Sequence, residues 1–83
     1  MKLTDFIHQE DYRFTLFFKN GQSKEVDLKD LIERYVSLKE LETAQINSEW
    51  GCLEFNNGRV DIEPKTLYHY AYKNSEQSKV QNT

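Results

Sequence analysis

Apolar side chains recur at every second position through Tyr12, Phe14, Leu16 and Phe18, with Arg13, Thr15 and Phe17 between them. A period of two puts the first four on one face of a strand and leaves Thr15 and Phe17 on the other. The strand runs into Asn20-Gly21, and the polar return arm QSKEV decides how the loop closes. A two-residue Asn-Gly turn would set Phe18 against Ser23 and Leu16 against Glu25, wasting the apolar face. A three-residue loop, Lys19-Asn20-Gly21 with Gly21 as a left-handed bulge, sets Phe14 against Val26 instead and is the form predicted.

The device is used again. Phe55, Asn57, Gly58, Val60, Asp61 and Ile62 follow the order of Phe18, Asn20, Gly21, Val26, Asp27 and Leu28. In this copy a two-residue turn at Asn57-Gly58 pairs Phe55 with Val60 and Leu53 with Ile62, four apolar residues on one face. Asn and Gly serve both turns because they tolerate positive φ, where a β-branched residue would be strained.

A change of period follows each hairpin. Leu28, Leu31, Ile32, Tyr35 and Val36 have the spacing of a helix with one buried face. Asp27 is its expected N-cap, and Asp30 adds a carboxylate to the first turn, where the helix dipole favours it. On this reading, truncating Leu31 to Ala costs ~2–5 kcal/mol. After the second hairpin, Pro64 takes a first helical position, with Leu67 and Ala71 on one face. An opening strand is expected around Leu3 to Ile7, a short strand around Ala44 to Asn47, and a helical turn or two in LKELETA. The predicted architecture is one α+β domain over residues 1–73: a small antiparallel sheet of four or five strands built from Asn-Gly hairpins, with two helices packed on one face. Residues 74–83, NSEQSKVQNT, show no period and are read as a disordered polar tail.

Charge narrows the partners. Against 14 acidic residues the chain has 11 basic ones, so Lys and Arg form at most local patches, which disfavours nucleic acid. Cys52 is the sole cysteine and no intramolecular disulfide can form. In MKLTDFIHQEDYR polar groups interrupt every apolar run before it reaches the length of a signal core or a membrane span. A cytoplasmic location without membrane contact is the expectation.

The residues that suggest chemistry have plainer readings. His8, Cys52 and His69 lack the short paired spacings that bring ligands onto one zinc ion. Cys52 has no helix N-terminus or basic neighbour in sequence to lower its pKa, and reads as an inert packing thiol. Glu54 and Asp61 fall on the strand face opposite Leu53 and Phe55, and with Glu63 they read as a charged outer face rather than an acid–base pair. No catalytic, metal-binding or cofactor-binding residue is assigned, and the chain is read as non-enzymatic. Aromatics are a different matter, since the core faces do not use them all. Phe17 sits on the other strand face, Trp50 falls in a loop, and Tyr68 and Tyr72 lie a turn from the Leu67/Ala71 face. Aromatics of this kind are enriched at binding hot spots, so these four are the candidate partner-binding residues, with packing of Phe17 under the opening strand or Trp50 over a sheet end as the alternative.

Taken in order, DYRFTLFFKNG, VDLKDLIERY and LKELETAQINSEWGCLEFNNGRVDIEPKTLYHYA resemble the bacterial family called domain of unknown function 2442. Its pattern has a strand pair with an Asn/Asp-Gly turn, a Val-Asp-Leu helix start, and a closing aromatic-x-Asn-Gly hairpin. An acidic-Pro-x-x-Leu-Tyr segment then begins its last helix. The family's usual Trp before the second turn is Phe55 here. The resemblance covers about residues 1–72 and implies a compact α+β domain, found alone, before a helix-turn-helix module, or encoded beside a small domain as a toxin–antitoxin pair. The DNA-binding version has no counterpart in these residues, and the family offers no catalytic residues to transfer.

The leading expectation is therefore a small protein-binding module, antitoxin-like or regulatory, that masks a partner protein through aromatic anchors and an acidic rim. A small toxin-like protein with a basic surface fits that description. The alternative is a single-stranded nucleic-acid or DNA-associated regulatory domain, using FFK and YHYAYK for stacking beside Lys19, His69 and Lys73. The chain is expected as a monomer or weak homodimer, the dimer joined through the opening strand or the Phe17, Trp50 and Tyr68 aromatics.

Overall fold

A computed structural model describes the backbone of residues 1–81 and the side chains of residues 1–73. The expected disordered tail, residues 74–83, lies outside the described side chains. In chain order the elements are β1 (Leu3–His8), β2 (Arg13–Phe18), β3 (Ser23–Asp27), α1 (Lys29–Ile32), a 3₁₀ helix (Lys39–Thr43), β4 (Gln45–Ile46), β5 (Leu53–Phe55), β6 (Val60–Ile62) and α2 (Pro64–Gln81). The molecule is α+β, but its strands form two antiparallel sheets of three, ordered β1-β2-β3 and β4-β5-β6. This corrects the expected single sheet of four or five strands. The chain between the two hairpins carries β4, which pairs with β5 and gives the second hairpin a sheet of its own.

The hairpin registers follow from their apolar faces. Phe14 lies opposite Val26, Phe18 N–H donates to Gln22 O at 2.8 Å, and Gly21 has φ 91°. Phe14, Leu16 and Phe18 are buried on the inner face, and Tyr12 continues their line. In the second hairpin Leu53 lies opposite Ile62 and Phe55 opposite Val60. Arg59 N–H closes the turn onto Asn56 O, and Asn56, Asn57 and Gly58 all have positive φ. Asn56 joins the turn because its N–H donates to Thr43 Oγ1 at 2.8 Å and its amide to Glu40 Oε2 at 3.2 Å. That left-handed residue is set by the 3₁₀ helix, a partner distant in sequence.

The helix expected from Leu28 to Val36 is a single turn. Asp27 Oδ1 accepts the Lys29 N–H at 2.9 Å, satisfying a first-turn donor as expected of a cap, although Leu28 stands at the formal boundary. Beyond Ile32 the chain turns once more, and the Tyr12 hydroxyl donates to Val36 O at 2.6 Å. Leu28, Ile32 and Val36 are buried, Leu31 is half-buried, and Tyr35 is 61% exposed. The core stripe is thus the i, i+4, i+8 row, and the truncation cost expected at Leu31 belongs to Ile32. Two helices form as expected, α1 as this single turn and α2 as the longer one.

The core lies between the two sheets. Phe14 and Phe55 meet edge to face with ring centroids 6.2 Å apart, and Leu28, Ile32, Val36, Leu41, Leu67 and Ala71 close around them. Leu3 N–H donates to Gly51 O at 3.1 Å, where β1 meets the turn after β4. A Cβ on Gly51 would lie 2.5 Å from Lys2 Cβ, and φ there is 73°. The two sheets join at a position only glycine fits.

Candidate functional site

The four candidate aromatics do not gather into one patch. Tyr68 and Tyr72 dock α2 on the first sheet. The Tyr68 ring meets Phe18 edge-on at 5.2 Å, its hydroxyl donates to Gln22 Oε1 at 2.6 Å, and the Tyr72 hydroxyl donates to Ser23 O at 3.3 Å. Lys24 Nζ stands 5.6 Å from the Tyr72 ring centre. Phe17 is half-buried on the outer face of β2, opposite Asp5 and Ser23. Ile7, opposite Thr15, shares that face and is 52% exposed.

Trp50 is set apart by exposure and by its neighbours. Its side chain is 65% exposed, yet its backbone is held. Asn47 Oδ1 accepts the N–H groups of both Glu49 and Trp50 at 2.9 Å, and Gly51 N–H returns to Asn47 O at 2.7 Å. This Asx turn, read from Asn47 to Gly51, presents the indole at the rim of a concavity of about 470 Å³. Cys52, Glu54, Asp61, Glu63, Pro64 and Lys65 line the rest. The NSEWG spelling, an Asn followed by a turn-closing Gly, was the available sequence signal for Asn47.

Glu54 and Asp61 are directly opposed across β5 and β6. Like charges so placed destabilise a sheet. Glu54 is partly compensated, accepting the Gln45 amide at 3.2 Å and the Asn47 amide at 3.0 Å. Among the described residues no Lys, Arg or His makes an ion pair with Glu54, Asp61 or Glu63; Arg13 with Glu25 is the ion pair found. Burial pushes the Cys52 thiol up, and the carboxylates of Asp61, Glu63 and Glu54 add to the rise. A protonated thiol is a poor nucleophile.

Among the described residues no group of three His, Cys, Asp or Glu side chains is placed to hold a metal ion. His8 instead stacks on Phe14 at 4.6 Å, with Nε2 2.6 Å from Asp11 O, and His69 lies on exposed α2 surface. No described helix is long and apolar enough to cross a membrane. What the concavity presents is an exposed aromatic face beside three carboxylates and one ammonium, Lys65. That combination suits a cation, which the ring quadrupole and the carboxylates both attract.

Fold and surface together define a small two-sheet α+β domain with an acidic, tryptophan-marked face. The chain belongs to the family described as protein of unknown function (DUF2442), whose model matches residues 3–73. No curated protein and no solved structure matches the chain.

Proposed function

We propose that this chain is a non-catalytic protein-binding module, antitoxin-like or regulatory, acting in the cytoplasm by covering a basic surface of a small partner protein. The observation that carries the reading is Trp50, exposed beside Asp61 and Glu63, which make no ion pair among the described residues, and held there by the Asn47 turn. A large rigid side chain on a fixed backbone loses little entropy on binding, and the excess of three carboxylates over Lys65 around it speeds encounter with a basic surface. Affinity capture from source cells tests it: the partner is retained by the intact chain, lost with Trp50→Ala, and released by salt. Equal retention by the variant would remove Trp50 from the contact.

A second reading has its own observation. On α2, Lys65, Thr66, His69, Tyr70 and Lys73 line a recess of about 330 Å³, a local basic and aromatic patch on an acidic chain. Single-stranded nucleic acid is the ligand such a patch suits. Titration with short DNA and RNA at low salt separates the readings, since binding there is least screened. Saturable binding lost with Lys73→Glu supports the second, and no binding removes it.

A further inference from the structure

Two three-stranded sheets have four outer strands, β1, β3, β4 and β6. Tyr72 of α2 donates to Ser23 O at the start of β3, and Tyr68 to the Gln22 side chain just before it. β1 and β4 lie beside each other, joined where Leu3 N–H meets Gly51 O. β6 pairs with β5 alone, and among the described residues no strand runs along its other side. Such an edge presents unpaired backbone groups unless a strand is added to it.

That edge is flanked by two surfaces of different chemistry. On the core side a groove of about 340 Å³ separates β6 from the α1 turn, lined mainly by Leu31, Ile32, Tyr35, Val60 and Ile62, with Arg59 and Asp61 at its β6 wall. Tyr35 forms its exposed wall. On the other side Asp61 points to the acidic face, opposite Glu54 and with Glu63 and Trp50 around the same concavity. Successive strand residues alternate between these sides, as would those of a strand laid beside β6. A neighbour of Asp61 on such a strand has its Cβ about 5 Å away. A cation there relieves the repulsion between Asp61 and Glu54, whereas an anion adds to it.

We infer that β6 is the docking strand of this protein: an extended segment of the partner pairs with its open edge, placing apolar side chains in the groove against α1 and a lysine or arginine between them over Asp61. The inference rests on the protein-binding reading and adds to it the backbone mode of recognition and the alternating apolar–basic pattern of the segment. Strand addition draws affinity from main-chain hydrogen bonds and specificity from alternate side chains. β6 is three residues long, so pairing by itself is short, and the groove and the acidic face supply the remaining contact.

The test uses the full chain and a nine-residue peptide in which valines alternate with arginines, followed by amide chemical shifts and by fluorescence of the sole tryptophan. Titration to millimolar peptide is expected to shift the amides of Val60, Asp61 and Ile62 and the Trp50 emission together. Asp61→Lys and Tyr35→Ala, both at exposed positions, weaken binding at least tenfold while the melting temperature is retained. A peptide with glutamate for arginine, and one with N-methylated amides at its central residues, lose binding. Absence of shifts at β6, or equal binding by the N-methylated peptide, overturns strand addition. A natural partner that quenches Trp50 and leaves the β6 amides unmoved also overturns it, and leaves the protein-binding reading standing.

Discussion

The two Asn-Gly hairpins begin from similar sequence and end in different roles. In the first, β1 pairs with β2, α2 packs on Phe18 and bonds at the start of β3, and the outer-face charges of Arg13 and Glu25 meet at 3.3 Å. In the second, β6 has an open edge and the outer face opposes Glu54 to Asp61. The inner faces match in kind, since Phe14 and Phe55 are both fully buried and touch. How much of a hairpin stays exposed therefore depends on what the rest of the chain lays against its edge and outer face. Repetition of a turn motif does not carry that difference.

The sharpest way to break the comparison is through the shared core. Phe14→Ala and Phe55→Ala should each cost ~3–5 kcal/mol in urea unfolding, because each empties a filled site. Their coupling in a double-mutant cycle should be about 0.5–1.5 kcal/mol for the edge-on pair. Additive losses would mean that the hairpins do not share one core.

Gly51→Ala comes next, at ~1–3 kcal/mol, through positive φ and collision with Lys2 Cβ and Cα where the sheets join. Thermal unfolding measures it, and an unchanged melting temperature would place the joint elsewhere. Smaller still, and opposite in sign between the hairpins, are the outer-face charges. Asp61→Asn should stabilise by ~0.2–1 kcal/mol by removing a like-charge pair, while Glu25→Gln leaves stability unchanged or lowers it by under about 1 kcal/mol. Stabilisation by both substitutions would remove the contrast between the two faces.

The smallest expected effect lies on the acid side. Ser37 N–H donates to Glu40 Oε1 at 2.8 Å, which holds the Glu40 carboxyl below its ordinary range although burial opposes it. The unfolded chain then binds the proton more readily, so the contribution is present at neutral pH and is lost as pH falls through the lowered pKa. Glu40→Gln should flatten the acid limb of the stability profile, read by denaturant midpoints across pH. A limb as steep as before would assign it to other carboxylates. Since Glu40 also accepts the Asn56 amide, the same substitution loosens the second turn and spares the first.

Much of this molecule was legible as pattern. Alternation chose the inner face of β2 and both hairpin registers, since any other register would expose several apolar side chains at once. Asp27 and Pro64 marked helix starts through local hydrogen-bonding and φ preference. The reciprocal cap of Ser37 with Glu40 is also local, spelled SLKE.

What local pattern did not reach required distant partners. The stripe from Leu28 to Val36 fits a longer helix, and only packing shows that Tyr35 turns outward and that the Tyr12 hydroxyl takes the Val36 carbonyl. Tyr68 and Tyr72 resembled Trp50 as unused aromatics until α2 was laid on β3 and took both into the scaffold. Periodicity assigns a side chain to a face of its own element, whereas exposure depends on which other element meets that face. The sequence by itself therefore determined the hairpins, their registers and the family; tertiary structure decided that there are two sheets, that the β6 edge adjoins a groove, and that among the described residues Asp61 and Glu63 make no ion pair.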